Sequence, residues 1–380
     1  MDNSLPVFID LPEKEQAGEI RQYLISAGAD LTANSKESIH EELSCLLDAC
    51  DNWLKSASDA DLEAVMNSFI SLILYCTFDE KLTRKFISKL TEMGASSSNA
   101  LLRIKVLNNL FVGLPVTNPL RYDVYIGQLR LASKFGQTND IVTSLKQVEV
   151  WLKTWNVDME QRRVCYRELH AALKDQQRSD EATKVMLELL ATYDEASAVL
   201  AKEDAEKCVI DFISKPDVFI MDHLLKLKPV TTLQGQAIYG LLEIFVSGVL
   251  ADYLEFYDVH KDYVTEIGLD HAANIHKMRI LTTLSLSVQE KEISFHDLRG
   301  ILGFTEEDDI EEYIIDLIKS KLLHAKMDEM NERMIIRSSC VRTFGTDEWQ
   351  QLEQKLQSWF TNMQAIRSSL EQVVQVGVVG

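Results

Sequence analysis

Residues 291–341 read KEISFHDLRGILGFTEEDDIEEYIIDLIKSKLLHAKMDEMNERMIIRSSCV, and the spacing of their apolar residues changes along the stretch. Glu292-Ile-Ser-Phe295 has the look of a short strand. Residues 296–303 fit one brief helix that Gly303 ends. Thr305-x-x-Asp308 is a capping-box pattern, and Ile310, Ile314, Leu317 and Ile318 continue it at helical spacing. The period then drops to two. Leu323, Ala325 and Met327 alternate with His324, Lys326 and Asp328. After the polar turn 328–332, Met334, Ile336, Ser338 and Cys340 alternate with Ile335, Arg337, Ser339 and Val341. With the amphipathic run 271–289 in front, the order is helix–strand–helix–helix–strand–strand, that of a winged helix.

Upstream, the chain is a succession of amphipathic helices. Leu62, Val65, Met66, Phe69, Ile70 and Ile73 recur three and four apart behind the capping pattern Ser58-x-x-Asp61. Similar runs hold Leu101 to Phe111, Leu145 to Leu152, Val164 to Leu173 and Ala182 to Leu190. Short polar joints between helices of this kind predict stacked helical pairs, a degenerate α-solenoid without a sharp repeat signature. Leu241, Leu242, Phe245, Val249, Tyr253, Leu254 and Tyr257 are apolar nearly all round, which predicts helices buried between neighbours. No proline follows Pro229, which suits continuous helices and full strand ladders.

Downstream, Thr346 is the expected N-cap of a last helix, with Asp347 and Glu348 in its first turn. Trp349, Leu352, Leu356, Trp359, Met363, Ile366, Leu370 and Val373 follow at spacings of three and four, an unbroken a/d seam. Its N-terminal half, with Trp349 and Leu352, is expected to pack on the winged helix. The distal half (Leu356, Trp359, Met363, Ile366 and Leu370) is expected to join helices of partner subunits. The last strand, with Ile335, Arg337, Ser339 and Val341, is expected at the sheet edge, where free backbone groups extend a partner's sheet. The fold class is mainly α, with boundaries expected as follows: a helical-repeat region over 1–200, a helical part over 201–268, a winged helix over 269–345, and the terminal helix with its tail over 346–380.

Composition narrows the chemistry. Thirty-nine basic against 59 acidic residues give a net charge of −20, which repels nucleic acid and anionic membrane. The helix a winged helix would insert into a groove, residues 305–321, carries Glu306, Glu307, Asp308, Asp309, Glu311, Glu312 and Asp316 against Lys319 and Lys321. DNA reading is therefore disfavoured, since affinity for phosphates depends on cations. At 46% hydrophobic the chain is no disordered tail, and it lacks the ~18 uninterrupted apolar residues of a membrane span. The opening Met1-Asp-Asn-Ser-Leu-Pro has no basic n-region, so a secretory signal is not expected. The six cysteines form no C-x-x-C pair, which fits a reduced cytosolic or nuclear protein, and a cytoplasmic location is expected.

Catalytic signatures are absent as patterns. No phosphate-cradling glycine loop, nucleophile elbow or H-E-x-x-H occurs. His271 and His276 lie five apart, as do Cys165 and His170, a spacing that points side chains apart on a helix. Cys165 reads as a small buried hydrophobe. No catalytic residue, metal or cofactor is expected.

A helical array leading into a winged helix and a long terminal helix resembles the PCI domain family, which scaffolds the proteasome lid, the signalosome and eukaryotic translation initiation factor 3. Particular segments resemble the initiation-factor branch. They are Pro6-Val-Phe-Ile-Asp10, SDEATKVMLELLATY (179–193), KPDVFIMDHLLKLKPV (215–230), IFVSGVLADYLEFY (244–257), HAANIHKMRILTTL (271–284) and Arg342-Thr-Phe-Gly345 followed by Trp349. The resemblance implies a non-enzymatic scaffold subunit that supports preinitiation-complex assembly. Its partners would be other PCI-type and helical-bundle subunits and, through the complex, the small ribosomal subunit, with no direct DNA or membrane binding. A scaffold of the signalosome or proteasome lid is the alternative.

Overall fold

In the computed structural model, residues 12–29, 31, 38–56, 58–77, 79–92, 97–136, 141–304, 308–343 and 345–377 are described. The chain divides into two compact units, 1–192 and 193–380.

The first unit is built from helices α1 (Glu13–Ser26), α2 (Ile39–Ser56), α3 (Asp59–Leu72), α4 (Glu80–Glu92), α5 (Ser97–Gly113), α6 (Leu120–Phe135), α7 (Leu145–Thr154), α8 (Met159–Asp175) and α9 (Ser179–Ala191). Helices two apart in sequence pack together: α1 on α3, α2 on α4, α3 on α5, α4 on α6 and α6 on α8. That stacking is the solenoid manner of building a core, in which each helix finds cover only from its neighbours. Ser58 caps α3 by accepting from the Asp61 N–H, and the stripe Leu62, Val65, Met66, Phe69, Ile70 and Ile73 behind it is buried. Ser58→Ala removes that acceptor and is expected to cost about 1 kcal/mol, read as a lower urea midpoint at unchanged slope.

Farther along, Phe111, Tyr125, Trp151 and Trp155 form an aromatic cluster, with the two indoles stacked at 5.6 Å and 27°. The Arg121 guanidinium lies 4.8 Å from the Phe111 ring and donates to the Leu114 carbonyl. Both contacts offset the cost of its burial.

The second unit begins with α10 (Lys202–Ser214), the single turns α11 (Asp222–Leu225) and α12 (Lys228–Thr231), α13 (Ala237–Ser247), α14 (Leu250–Glu266) and α15 (His271–Gln289). Leu241, Leu242, Phe245 and Tyr253 are buried as expected. Val249 and Leu254 are not, because α14 packs on α13 and α15 along one side and leaves its other side open. His271, at the first turn of α15, stacks on Tyr257 at 3.6 Å and 13°, and its Nδ1 lies 3.2 Å from the Tyr253 hydroxyl. Burial pushes its pKa below the ordinary histidine value. The ring is a packing element.

The winged helix follows as β1 (Glu292–Ser294), α16 (Phe295–Leu302), α17 (Asp308–Lys319), β2 (Leu323–Asp328) and β3 (Arg333–Ser339). Gly303 ends α16 in the left-handed conformation at φ 66°, where a Cβ would be strained. Ile293, Met334 and Ile336 from the sheet pack with Leu298, Leu302, Ile310, Ile314, Leu317 and Leu323 in one core. The anticipated cap at Thr305 lies outside the described residues. The last element is α18 (Thr346–Gly377).

Two buried cations hold this unit together, and neither was visible in the periodicity. Lys277 on α15 donates to the carbonyls of Phe212, Ile213 and Lys215, at 2.9, 3.0 and 2.7 Å, closing the C-terminal end of α10. Arg342, beyond β3, donates to the Phe245, Gly248 and Leu281 carbonyls and to the Ser285 hydroxyl, at 2.9, 2.9, 3.3 and 2.7 Å. The last carbonyls of a helix have no partner within it, so a cation there satisfies acceptors and complements the helix dipole together.

Candidate functional site: the terminal helix and the winged-helix sheet

The 32 residues of α18 extend about 48 Å at 1.5 Å per residue. Its start differs by one residue from the expected cap. The Gly345 carbonyl accepts from the Trp349 N–H, and the Glu348 carboxylate accepts from the Gly345 N–H at 2.8 Å, so Gly345 is the N-cap and not Thr346. Glu348 reaching back in this way closes half of a capping box.

The seam predicted from the spacing runs along the helix in the open. Trp349, Trp359, Met363, Ile366 and Leu370 are each 60–70% exposed, Leu356 is 51% exposed and Leu352 is 37% exposed. The expectation that Trp349 and Leu352 pack against the winged helix is therefore overturned. The sheet's inner face is already filled by α16 and α17, so it offers the emerging helix no apolar surface to cover. Phe360, absent from the seam as read, is 64% exposed and widens the stripe beside Leu356 and Trp359. Its position next to Trp359 breaks the a/d alternation, which is why spacing alone passed over it. Flanking positions are mostly uncharged polar residues, five of them glutamines (Gln350, Gln351, Gln354, Gln357 and Gln364), with Glu353, Lys355 and Arg367 the charged ones. The Val373 side chain lies outside those described.

The strand expected at the edge sits in the middle. The sheet order is β1-β3-β2, antiparallel throughout, with Ile335 opposite Glu292 on one side and Lys326 on the other. The Ile336 N–H donates to the Lys291 carbonyl at 2.7 Å. Ile335, Arg337 and Ser339 thus belong to a strand paired on both sides, and Val341 follows it. Ile335 is paired on both sides, whereas Arg337 and Ser339 lie past the last partner that β1 offers. The β2–β3 hairpin was legible from alternation, but three residues of β1 carry no signal for which side they join. Burial of Ile293 beside Met334 decides it. Ile335→Pro consequently probes sheet integrity and not partner capture. The edges are β1 and β2. Arg333 ties the sheet together, with Nη1 2.8 Å from Glu292 on β1 and Nε 3.2 Å from Asp328 on β2.

Cys165 and Cys208 are fully buried, and burial pushes both thiols up to about 12. Among the described residues, no group of three or more His, Cys, Asp or Glu could hold a metal ion, and no helix is long and apolar enough to cross a membrane. The exposed face of α17 carries Glu311, Glu312, Asp316 and Lys319. The acids at 306–309 have side chains outside those described.

Comparison with known proteins is consistent with this architecture. The PCI domain family matches residues 257–338, from the middle of α14 to the end of β3. Eukaryotic translation initiation factor 3 subunit M of Nematostella vectensis is 45% identical over 98% of this chain and 99% of its own length. The proteins of that name from Homo sapiens and Gallus gallus are each 40% identical, over 97% of this chain and 98% of theirs.

Proposed function

Because this chain belongs to the family of subunit M of eukaryotic translation initiation factor 3, we propose that it serves that factor as a non-catalytic scaffold subunit. In this reading it supports preinitiation-complex assembly on the small ribosomal subunit through protein–protein contacts, in the cytoplasm. The observation that carries the reading is the exposed apolar seam of α18. A seam of tryptophan, leucine, methionine and isoleucine along a sparsely charged helix is costly to leave in water and suits burial in a bundle with helices of neighbouring subunits. Residues 1–200 act as the helical-repeat arm, 201–345 as the PCI domain that meets other PCI-type subunits, and 346–380 as the bundle strand. Leu356, Trp359, Met363, Ile366 and Leu370 are the contact residues, joined by Phe360.

The charge of α17 supports a protein-contact role for the winged helix. Three exposed acids against one lysine would face phosphates at a loss, and neither DNA nor a membrane surface is a partner. Affinity purification at moderate salt tests the whole reading. Initiation-factor subunits and small-subunit ribosomal proteins are the expected company. Recovery of proteasome-lid or signalosome subunits in their place would sink it.

A further inference from the structure

The seam of α18 is symmetric about its own middle. It is centred between Trp359 and Met363, and the helix, Thr346–Gly377, has its midpoint at the same place. Two copies laid antiparallel about that point set Trp359 against Met363, Leu356 against Ile366 and Leu352 against Leu370, all of them apolar and exposed in the single chain. Each helix then ends beside the start of the other, about 23 Å from the centre at 1.5 Å per residue, which keeps the two folded bodies at opposite ends. Charge selects this arrangement. Glu353, Phe360 and Arg367 share one flank of the seam, the e positions of the heptad, and in an antiparallel pair those flanks face each other. Glu353 meets Arg367 of the second copy, twice by symmetry, and the two Phe360 rings meet at the centre. Glu353 accepts one bond from Gln357 Nε2 at 3.2 Å, and Arg367 already interacts within its own chain. A carboxylate has about four acceptor sites and a guanidinium about five donors, so both keep capacity for a further partner. A parallel pair would instead bring Glu348 beside Glu353 of the second copy, like charge on like.

We propose that, outside its complex, the chain pairs with a second copy of itself through α18 in this antiparallel register, so that the seam is covered until partner helices replace the copy. The pairing stands apart from the scaffold role, and only the replacement step rests on it. Trp359 and Phe360 are 63% and 64% exposed, so at about 150–250 Å² per buried aromatic side chain the four rings would cover roughly 500 Å². That is half of the ~1,000 Å² a specific interface needs, and the aliphatic layers on either side supply the rest. A pair of this size dissociates readily, as a replaceable cover must.

Sedimentation velocity of the full chain across about 1–100 μM is the test, with a monomer–dimer midpoint expected on the order of 10 μM. Well below that midpoint the chain is monomeric, and melts of the isolated fold read the monomer. Trp359→Glu is expected to keep the chain monomeric across the whole range. Glu353→Arg turns both ion pairs into repulsions and should raise the dissociation constant about fivefold or more, and Arg367→Glu should do the same. Combining the two exchanges the charges and should restore the parent's midpoint. Both residues are exposed, so circular dichroism of each variant should match the parent. A dimer that Glu353→Arg tightens is parallel and overturns the proposal. A dimer that survives Trp359→Glu uses another surface and overturns it as well, as does a parent that stays monomeric throughout. Uptake of the parent into the initiation-factor complex is measured separately. A dimer with the expected charge pattern in a chain that is not taken up upholds the self-pairing and sinks the scaffold role, whereas a monomer that is taken up overturns the self-pairing alone.

Discussion

Trp359→Glu is expected to leave the melting temperature of the isolated chain unchanged and to remove the protein from its complex. Trp359 is 63% exposed and sits mid-seam on a helix whose side chains are exposed on every face. The isolated fold therefore loses almost no buried area, and glutamate is the better helix former. In an interhelical bundle the same indole would be a central anchor. Truncating such an anchor typically costs at least ~2 kcal/mol, roughly thirtyfold in affinity, and a buried carboxylate adds its desolvation. The measurement is paired: a thermal melt of the purified variant and its recovery with the tagged complex. A variant that melts well below the parent while still entering the complex would place the seam inside the fold and end the bundle reading.

The largest stability effect is expected at Lys277. Replacing it with methionine keeps the apolar stem but deletes the donors that serve Phe212, Ile213 and Lys215. The last carbonyls of α10 would then stay buried without that partner. Each unsatisfied buried acceptor costs roughly 1–3 kcal/mol, and partial relaxation leaves an expected net loss of about 3 kcal/mol. Urea unfolding followed by helical circular dichroism reads this directly. An unchanged midpoint would show that water or backbone movement replaces the ammonium.

The pH dependence has a definite sign. Burial pulls the Lys277 pKa from its ordinary 10.5 to about 7. Between those values the unfolded chain holds a proton that the folded chain gives up. Raising pH through that window therefore favours the folded state, by at most about 1.4 kcal/mol per pH unit. Below pH 7 both states are protonated and the contribution is flat, at its least favourable. The stability difference between parent and Lys277→Met should accordingly grow between pH 7 and 10.5. A difference that is level across the window would mean that the three carbonyls at the end of α10 hold the charged form as strongly as burial opposes it.

How far the sequence reached follows from the range of each interaction. The stripe from Leu62 to Ile73, the Ser58 cap, the helix 271–289, the Gly303 stop and the β2–β3 hairpin are set by residues a few positions apart, and periodicity and capping chemistry read them correctly. The terminal seam was legible for the same reason, because an a/d pattern is a local property of one helix. Whether that seam is covered is not local. Trp349 and Leu352 were expected on the winged helix, but the inner face of its sheet was already occupied by α16 and α17. The place of β1 beside β3 was equally out of reach, since a three-residue strand has too little pattern to name its neighbour. Most distant of all are the two buried cations. Lys277 finds its acceptors 62 to 65 residues away, and Arg342 finds its acceptors 57 to 97 residues away. A lysine or arginine in a sequence defaults to solvent. Only the tertiary structure, by bringing helix ends with unpaired carbonyls against them, turns these two into the fastenings of the fold.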